Sequence, residues 1–483
     1  MTAEPRLRLS QSVAPTRWPA FLTSTATLFI FGCALSKSPS HTRVLTNSLP
    51  PNTIVPPTWA AFQNTGEVSD DWVKSFHDPQ LEAIVEQTIS RNLDLRQAAG
   101  NVEIARQNVR LVASQLKPQI NATFGLHTLR DKNDPSNFNS SEIVPAISWE
   151  PDVWGRLRAQ RAAARAGYEA TALDYDFARQ SLAATAAKSW YQAVSTRQLV
   201  AVDEEAVNTY EELLRLTKAK LTAGQVAELS VAEASANVAE AENQLRSHQG
   251  LLSEEQRDLE VLMGDYPAAS LKVATDFVPL PPPIQPGLPS DLLERRPDLV
   301  SAERQVLAQF RSLEASRLAL LPSFSLTADG GRLFHEALSV LRLSPWFYQA
   351  AIGMDVPIYT GGALRTEVKI ANVGQEQALA HYGSVTLNAF GEVETALSNE
   401  DVYSQRLKFM EQALSDRTES VRLASLKYAA GAIDLLPVLQ LEASQLATKS
   451  EVVKLRNALL ANRITLHLAL GGSFDATPAA RIK

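Results

Sequence analysis

One cysteine in 483 residues excludes a disulfide within the chain and a cysteine-based zinc site. The seven histidines, His41, His77, His127, His248, His335, His381 and His467, are scattered, with no His-x-x-x-His pair and none beside the cysteine. That pattern supports no metal site, and neither a metal nor another cofactor is expected. Gly-x-Gly-x-x-Gly, P-loop and Gly-x-Ser-x-Gly motifs are all missing, so no catalytic residue is nominated and an enzyme is not expected. There is no block of lysine and arginine, and the formal net charge is -7 with a pI near 5.7. Nucleic acid is therefore a poor partner, because phosphate binding needs a concentrated positive footprint. The apolar run "PAFLTSTATLFIFG" has 14 residues, short of the ~20 of a membrane-spanning helix. Proline, present 26 times in all, is missing from Leu157 to Lys220 and from Ala363 to Ala430.

What stands around that apolar run is an export signal: Arg6, Arg8 and Arg17 precede it, and Gly32 supplies a small residue before Cys33. The "IFGC" at its end resembles the bacterial lipoprotein signal, which makes residues 1–32 the signal peptide and Cys33 the acylated residue. One acyl chain anchors weakly, at about 0.8 kcal/mol per buried methylene, whereas two or three hold a protein firmly. Alanine at position 34 removes the aspartate that such signals use for inner-membrane retention, so the resemblance implies outer-membrane delivery and contact with its lipid.

The remainder of the chain repeats itself. "NLDLRQAAGNVEIARQNVRLVASQLKPQI" lies against "RPDLVSAERQVLAQFRSLEASRLALLPSF", with Asp94 facing Asp298 and Pro118 facing Pro322, 204 residues apart. Pro151 and Gly155 face Pro357 and Gly361 at 206, and Gly224 and Gly264 face Gly431 and Gly471 at 207.

Each half carries the same parts. A helical run stops at Pro118, since proline disfavours helical geometry in the residue before it. Ile120, Ala122, Phe124 and Leu126 then alternate with Asn121, Thr123, Gly125 and His127, the period of a strand with one apolar face. Ser323, Ser325 and Thr327 alternate likewise with Phe324, Leu326 and Ala328, and Trp346, Phe347 and Tyr348 suit an aromatic girdle. The proline-free runs predict helices of about 96 Å. Their apolar residues step by threes and fours: Tyr382, Thr386, Ala389, Val393 and Ala396, then Tyr403, Leu407, Met410 and Leu414. A second stripe reads Leu436, Leu439, Ala443, Leu446, Val453, Leu460 and Ile464, so helices pack as in a coiled coil. Gly224 and Gly431 suit helix C-caps at the hairpin turns.

The expected organisation is a signal over 1–32, an extended linker over 33–70 and a first repeat over 71–264, with strands near 118–130 and 143–154 and a helical hairpin over 157–263. A Pro-rich linker follows over 265–290. The second repeat, 291–471, has strands near 322–333 and 346–360 and a hairpin over 363–470, before a tail over 472–483. Four strands cannot close a barrel in lipid without exposed edges, whereas three copies supply twelve. The fold class is a mixed α/β membrane protein: a homotrimeric 12-stranded β-barrel joined to a long α-helical barrel of coiled-coil hairpins.

Six stretches, "WVKSFHDPQLEAIVEQTISRNLDLRQA", "SWEPDVWGRLRAQRAAARA", "SLAATAAKSWYQ", "GLPSDLLERRPDLVSAERQVLAQ", "PIYTGGALRTEV" and "YAAGAIDLLPVLQLEAS", resemble the TolC-like outer-membrane efflux factors, in particular the lipoprotein channel subunits of resistance-nodulation-division pumps. The resemblance implies a passive conduit for small solutes or drugs, with a periplasmic adaptor protein and a proton-coupled inner-membrane pump as partners. Thr222, Ala223, Gly224 and Gln225, with Ala430, Gly431 and Ala432, become the adaptor-docking tips. Where relatives carry gate carboxylates, this chain has Pro437 and Gln440, so Asp434 is the nearest candidate for a charged ring and Glu442 a more distant one. Asp416, Arg417, Glu419 and Arg422 are expected to lace the mouth through inter-helix pairs. The conduit of an ATP-driven secretion system and a structural periplasmic coiled-coil lipoprotein remain the alternatives.

Overall fold

The computed structural model describes residues 35–51, 53–61, 66, 68, 70–129, 138–335 and 346–475. The chain divides into two compact units. One takes in the residues to Ser38, Val112–Arg161 and Arg311–Ala371, and the other takes in Pro39–Leu111, Ala162–Phe310 and the residues from Asn372 onward.

The first unit carries a four-stranded antiparallel sheet of β1 (Gln119–Leu129), β2 (Phe138–Trp149), β3 (Ser323–His335) and β4 (Trp346–Asp355), in that order. Cross-strand partners share a face. Ile120 pairs with Ile147, Phe124 with Ile143, Trp149 with Leu326, and Leu326 with Ile352, so the alternating apolar residues merge into one face. It is exposed in the chain: Phe124 is 74% accessible and Ile352 80%. The opposite face is mostly polar or small, with Thr123, Ser148, Thr327 and Ala351 beside Val144 and Phe347. Trp346 and Tyr348 pair with Arg332 and Gly330 and share the apolar face, whereas Phe347, between them, lies on the other; the expected three-residue girdle is thus reduced to two.

Strand boundaries differ from the sequence expectation. The strand expected over 143–154 lies at Phe138–Trp149, because β1 pairs through to Leu129↔Phe138 and draws polar residues into the ladder. It ends early because Pro151 offers no amide and Asp152 serves the following helix. β3 runs to His335, and β4 ends at Asp355, opposite Ser323, rather than at 360.

Ten described helices accompany the sheet: α1 (His41–Ser48), α2 (Trp72–Ser75), α3 (Pro79–Arg91), α4 (Leu93–Ser114), α5 (Arg156–Thr222), α6 (Glu228–Leu262), α7 (Pro289–Arg295), α8 (Pro297–Leu318), α9 (Ala363–Ala429) and α10 (Leu435–Ala469). α5 and α9 both have 67 residues, about 100 Å of helix, and α6 and α10 both have 35. α5 starts after Gly155 (φ 90°), where Asp152 accepts from the amides of Leu157 (3.0 Å) and Arg158 (2.9 Å). α9 starts after Gly362 (φ 88°), so the residue matching Gly155 is Gly362 and not Gly361. α1 falls inside the linker expected to be extended, because Val44 is buried against Ala302, Val306 and Tyr382.

The second unit is cored where short helices cross long ones. Trp72, Phe76, Leu81 and Ile84 pack on Ala183–Val194 of α5 with Leu460 and Ile464 of α10. Leu292, Leu293 and Leu299 pack with Ala389, Val393 and Ala396 of α9. Asp78 joins layers: one carboxylate oxygen caps α3 through Gln80 and Leu81, and the other accepts from Trp190 Nε1 at 2.9 Å. In α10 Leu439, Val453, Leu460 and Ile464 of the expected stripe are buried, but in the first turns Leu436, 52% exposed, and Ala443 give way to Leu435, Val438 and Glu442.

His467 is sealed in the first of these cores, stacked on Trp72 at 5.8 Å, and its Nδ1 has no partner. Burial, with the nearby Arg463 charge, lowers its pKa to about 4. The unfolded chain takes up this proton near pH 6.5 and the folded chain does not, so stability falls as pH drops from 6.5 toward 4. The loss by pH 4 should be about 3 kcal/mol per subunit. His467→Phe should flatten the acid limb of the thermal midpoint measured by circular dichroism between pH 7.5 and 4.5. Superimposable slopes for the two proteins would sink the assignment.

Candidate functional site

The sequence-nominated residues gather at the ends of the two helical hairpins. After α5, the Gln225 amide donates to the Lys220 carbonyl (2.9 Å) and the Gly224 amide to that of Leu221 (2.9 Å). After α9, Ala432 donates to Lys427 (2.8 Å) and Gly431 to Tyr428 (3.0 Å) in the same pattern. Both are Schellman closures, with Gly224 at φ 69° and Gly431 at φ 74°. A Cβ on either glycine would meet nothing within 4 Å, so only the left-handed backbone demands glycine there. Thr222, Ala223, Gly224, Gln225, Ala430, Gly431 and Ala432 are all exposed.

Asp434 is the N-cap residue of α10 yet makes no side-chain cap bond. Pro437, the third helical residue, removes one of the two amides that a capping aspartate can take, and the other, that of Leu436, is not bonded by Asp434 either. As a first-turn residue Pro437 costs α10 no intrahelical hydrogen bond, because first-turn amides have no intrahelical acceptor to lose. Asp434, Pro437 and Gln440 are spaced by three and all exposed, leaving the Asp434 carboxylate free on that face. Glu442 is on the other side, buried against the α5 layer, where burial and then the charge of Glu205 push its pKa up.

The structure adds a clasp that spacing did not signal. Lys220 of α5 donates from Nζ to the Tyr428 carbonyl (2.7 Å) and lies 3.5 Å from the Tyr428 ring centroid. Thr217 donates to Leu213 (2.8 Å), leaving its oxygen to accept from the Tyr428 hydroxyl at 3.2 Å. Around it Tyr210, Leu213, Ala234, Ala424, Leu435 and Val438 close a hydrophobic cluster. Tyr428 is three residues before Gly431, but its partners are some 210 positions away, beyond any local pattern.

Within the chain, Arg422 pairs with Glu419 at 2.7 Å and Gln412 donates to Asp416, both along α9 instead of between helices. Exposed helix-to-helix pairs include Arg406 with Glu451 (2.9 Å), Arg456 with Glu411 (2.7 Å) and Lys449 with Glu205. Such exposed pairs are worth ~0 to 1 kcal/mol. Cys33 lies outside the described residues. Among those residues no group of histidine, cysteine and carboxylate side chains is arranged to hold a metal, and no helix is long and apolar enough to cross a membrane.

The profile of the family described as outer membrane efflux protein matches residues 84–265 and 288–472. The chain belongs to that family, the outer membrane efflux proteins. Among its relatives, the probable outer membrane lipoprotein SilC of Salmonella typhimurium is 26% identical, over 94% of this chain and 98% of that protein. The pyoverdine export outer membrane protein OpmQ of Pseudomonas aeruginosa is 29% identical, over 84% and 88%. A crystal structure of CusC matches with a TM-score of 0.78 at 25% identity, over 90% of this chain and 99% of that one. The open-state MtrE channel of Neisseria gonorrhoeae shares the fold, with a TM-score of 0.82 at 23% identity over 92% and 100%.

Proposed function

We propose that three copies of this chain form a closed 12-stranded barrel and a helical conduit through which small solutes leave the periplasm. The observation that carries this reading is the sheet: β1 and β4 each have one described partner strand, and its apolar face is bare. In lipid such edges must be paired, and copies of the same chain supply matching strands. Equal helix lengths, with the matched glycines Gly155 and Gly362 or Gly224 and Gly431, support an internal duplication that gives the trimer six similar tips. Those open turns suit a periplasmic adaptor, and a proton-coupled inner-membrane pump would supply the drive. Cys33, acylated, adds a lipid anchor to the strands.

Deletion should raise cellular accumulation of the exported solute, and complementation should restore it; unchanged accumulation across a panel of dyes, drugs and metal salts would overturn the efflux role. At the mouth, the uncapped Asp434 carboxylates of three subunits supply a modest cation preference. Asp434→Asn should reduce cation selectivity in planar-bilayer recordings by about twofold. Identical conductance and reversal potential would remove Asp434 from the gate.

A further inference from the structure

The first described residues of the chain lie in a site built for them. Ser36 donates to Glu314 Oε1 from both its amide and its hydroxyl, each at 2.6 Å, and its carbonyl accepts from Arg311 Nη1 at 2.8 Å. Arg311 Nη2 donates to Ser38 Oγ at 2.7 Å. Arg311 and Glu314, one turn apart on α8, also pair with each other at 2.6 Å, with side chains only 11% and 13% exposed. A half-sealed ion pair thus addresses both main-chain groups of one residue of an otherwise irregular peptide.

General helix packing does not require this arrangement. At the matching places of the first half stand Gln107 and Arg110, which are exposed, and their side-chain bonds run along their own helix, to Glu103 and between themselves. Of the two matching places, the pair stands at the one where the N-terminal peptide runs. Downstream, the same peptide enters α1, where His41 Nδ1 meets Glu303 at 3.0 Å. A Cβ on Gly383 would lie 2.2 Å from the Ser48 carbonyl, so α1 needs a glycine beneath it.

We propose that Arg311 and Glu314 are a receptor for the mature N-terminal peptide, a latch on Ser36 to Ser38 that fixes where the acylated end of the chain stands. Three peptide steps separate Ser36 from Cys33, a reach of at most about 11 Å. The latch rests on the lipoprotein reading for its purpose but not for its geometry. Lys37, between the two latched serines, is exposed and provides a trypsin site that reports on it.

Purified full-length trimers, extracted with their lipid, would be treated with trypsin, and the Lys37–Ser38 cut followed by mass spectrometry. In the wild type this bond should resist. In Glu314→Gln it should be cut about tenfold faster or more, with the trimer still intact on a mild gel. Ser36→Pro, which removes the donated amide and hydroxyl without touching α8, should behave the same way and guards against damage to the helix. Equal cutting rates for wild type and both variants would overturn the latch. If the released Cys33–Lys37 fragment carries no acyl mass while the wild-type bond stays protected, the lipoprotein reading fails and the latch stands.

Discussion

Gly331→Val should leave the protein without an assembled channel. β2 carries Pro145 in the middle of its ladder, where its missing amide leaves the β2–β3 pairing interrupted between Ile143↔Arg332 and Ala146↔Asp329. Opposite that gap β3 places Gly330 and Gly331. A Cβ on Gly331 would lie 2.3 Å from the Ile143 carbonyl oxygen and 3.3 Å from the Phe347 ring. The obstacle on one side is main chain, which cannot rotate away, so the strands must part. Separating two strands in lipid exposes several unpaired backbone groups, each costing several kcal/mol, which exceeds the usual 4 to 5 kcal/mol ceiling for one substitution. The measurement is the heat-modifiable band on a mild gel of outer-membrane extracts, which should vanish. Gly125→Ala, on β1, should keep it. A normal band for Gly331→Val would mean that the β2–β3 contact tolerates a side chain, and the sheet assignment would have to change.

The faces of this sheet were legible in the sequence because alternation is a local property: Ile120, Phe124 and Leu126 declare a face whichever strand lies alongside. The ladder's extent was not, because residues such as Asn139 and Ser140 join it only through the fixed pairing with β1. The long helices were legible from the missing prolines, but the first turns of the α10 seam were not. Leu435 and Leu436 are adjacent leucines, and only the packing of α5 and α6 decides that the first is buried. At the ends of the helical hairpins, the glycine turns could be read because positive φ restricts residue choice. The uncapped state of Asp434 could not, since an aspartate at an N-cap ordinarily bonds a first-turn amide, and the Lys220–Tyr428 clasp joins helices far apart in sequence. The Leu35–Ser40 segment reads as an ordinary polar linker; its order comes from Arg311 and Glu314, some 275 residues away.

Arg296→Ala should destabilise the second unit by about 3 to 5 kcal/mol, several times the cost of Asn92→Ala, although the two residues hold the same position in the two halves. Each stands before a 22-residue helix and donates to the last turn of a 35-residue one: Asn92 Nδ2 to the Leu262 carbonyl (3.2 Å), Arg296 Nη1 to that of Ala469 (3.3 Å). In both places a glycine lies over the preceding arginine, for a Cβ on Gly264 would be 3.1 Å from the Arg91 carbonyl oxygen and one on Gly471 3.0 Å from the Arg295 carbonyl carbon. Asn92 does little more than cap α4 through the Leu95 amide, so its loss should cost about 1 to 2 kcal/mol. Arg296 is 4% exposed at its side chain, grips Asp298 with two bonds (3.0 and 2.8 Å) and meets Glu392 at 2.6 Å. Its removal leaves Asp298, 17% exposed, without its countercharge in a packed layer, and that orphaned carboxylate dominates the cost. Arg296→Ala with Asp298→Asn should therefore recover part of the loss, because an amide is cheaper to leave there than a charge. Thermal midpoints in detergent should rank wild type, Asn92→Ala, the double variant and Arg296→Ala from highest to lowest. A double variant no better than Arg296→Ala would place the cost in the lost Ala469 and Glu392 contacts instead of in the stranded charge.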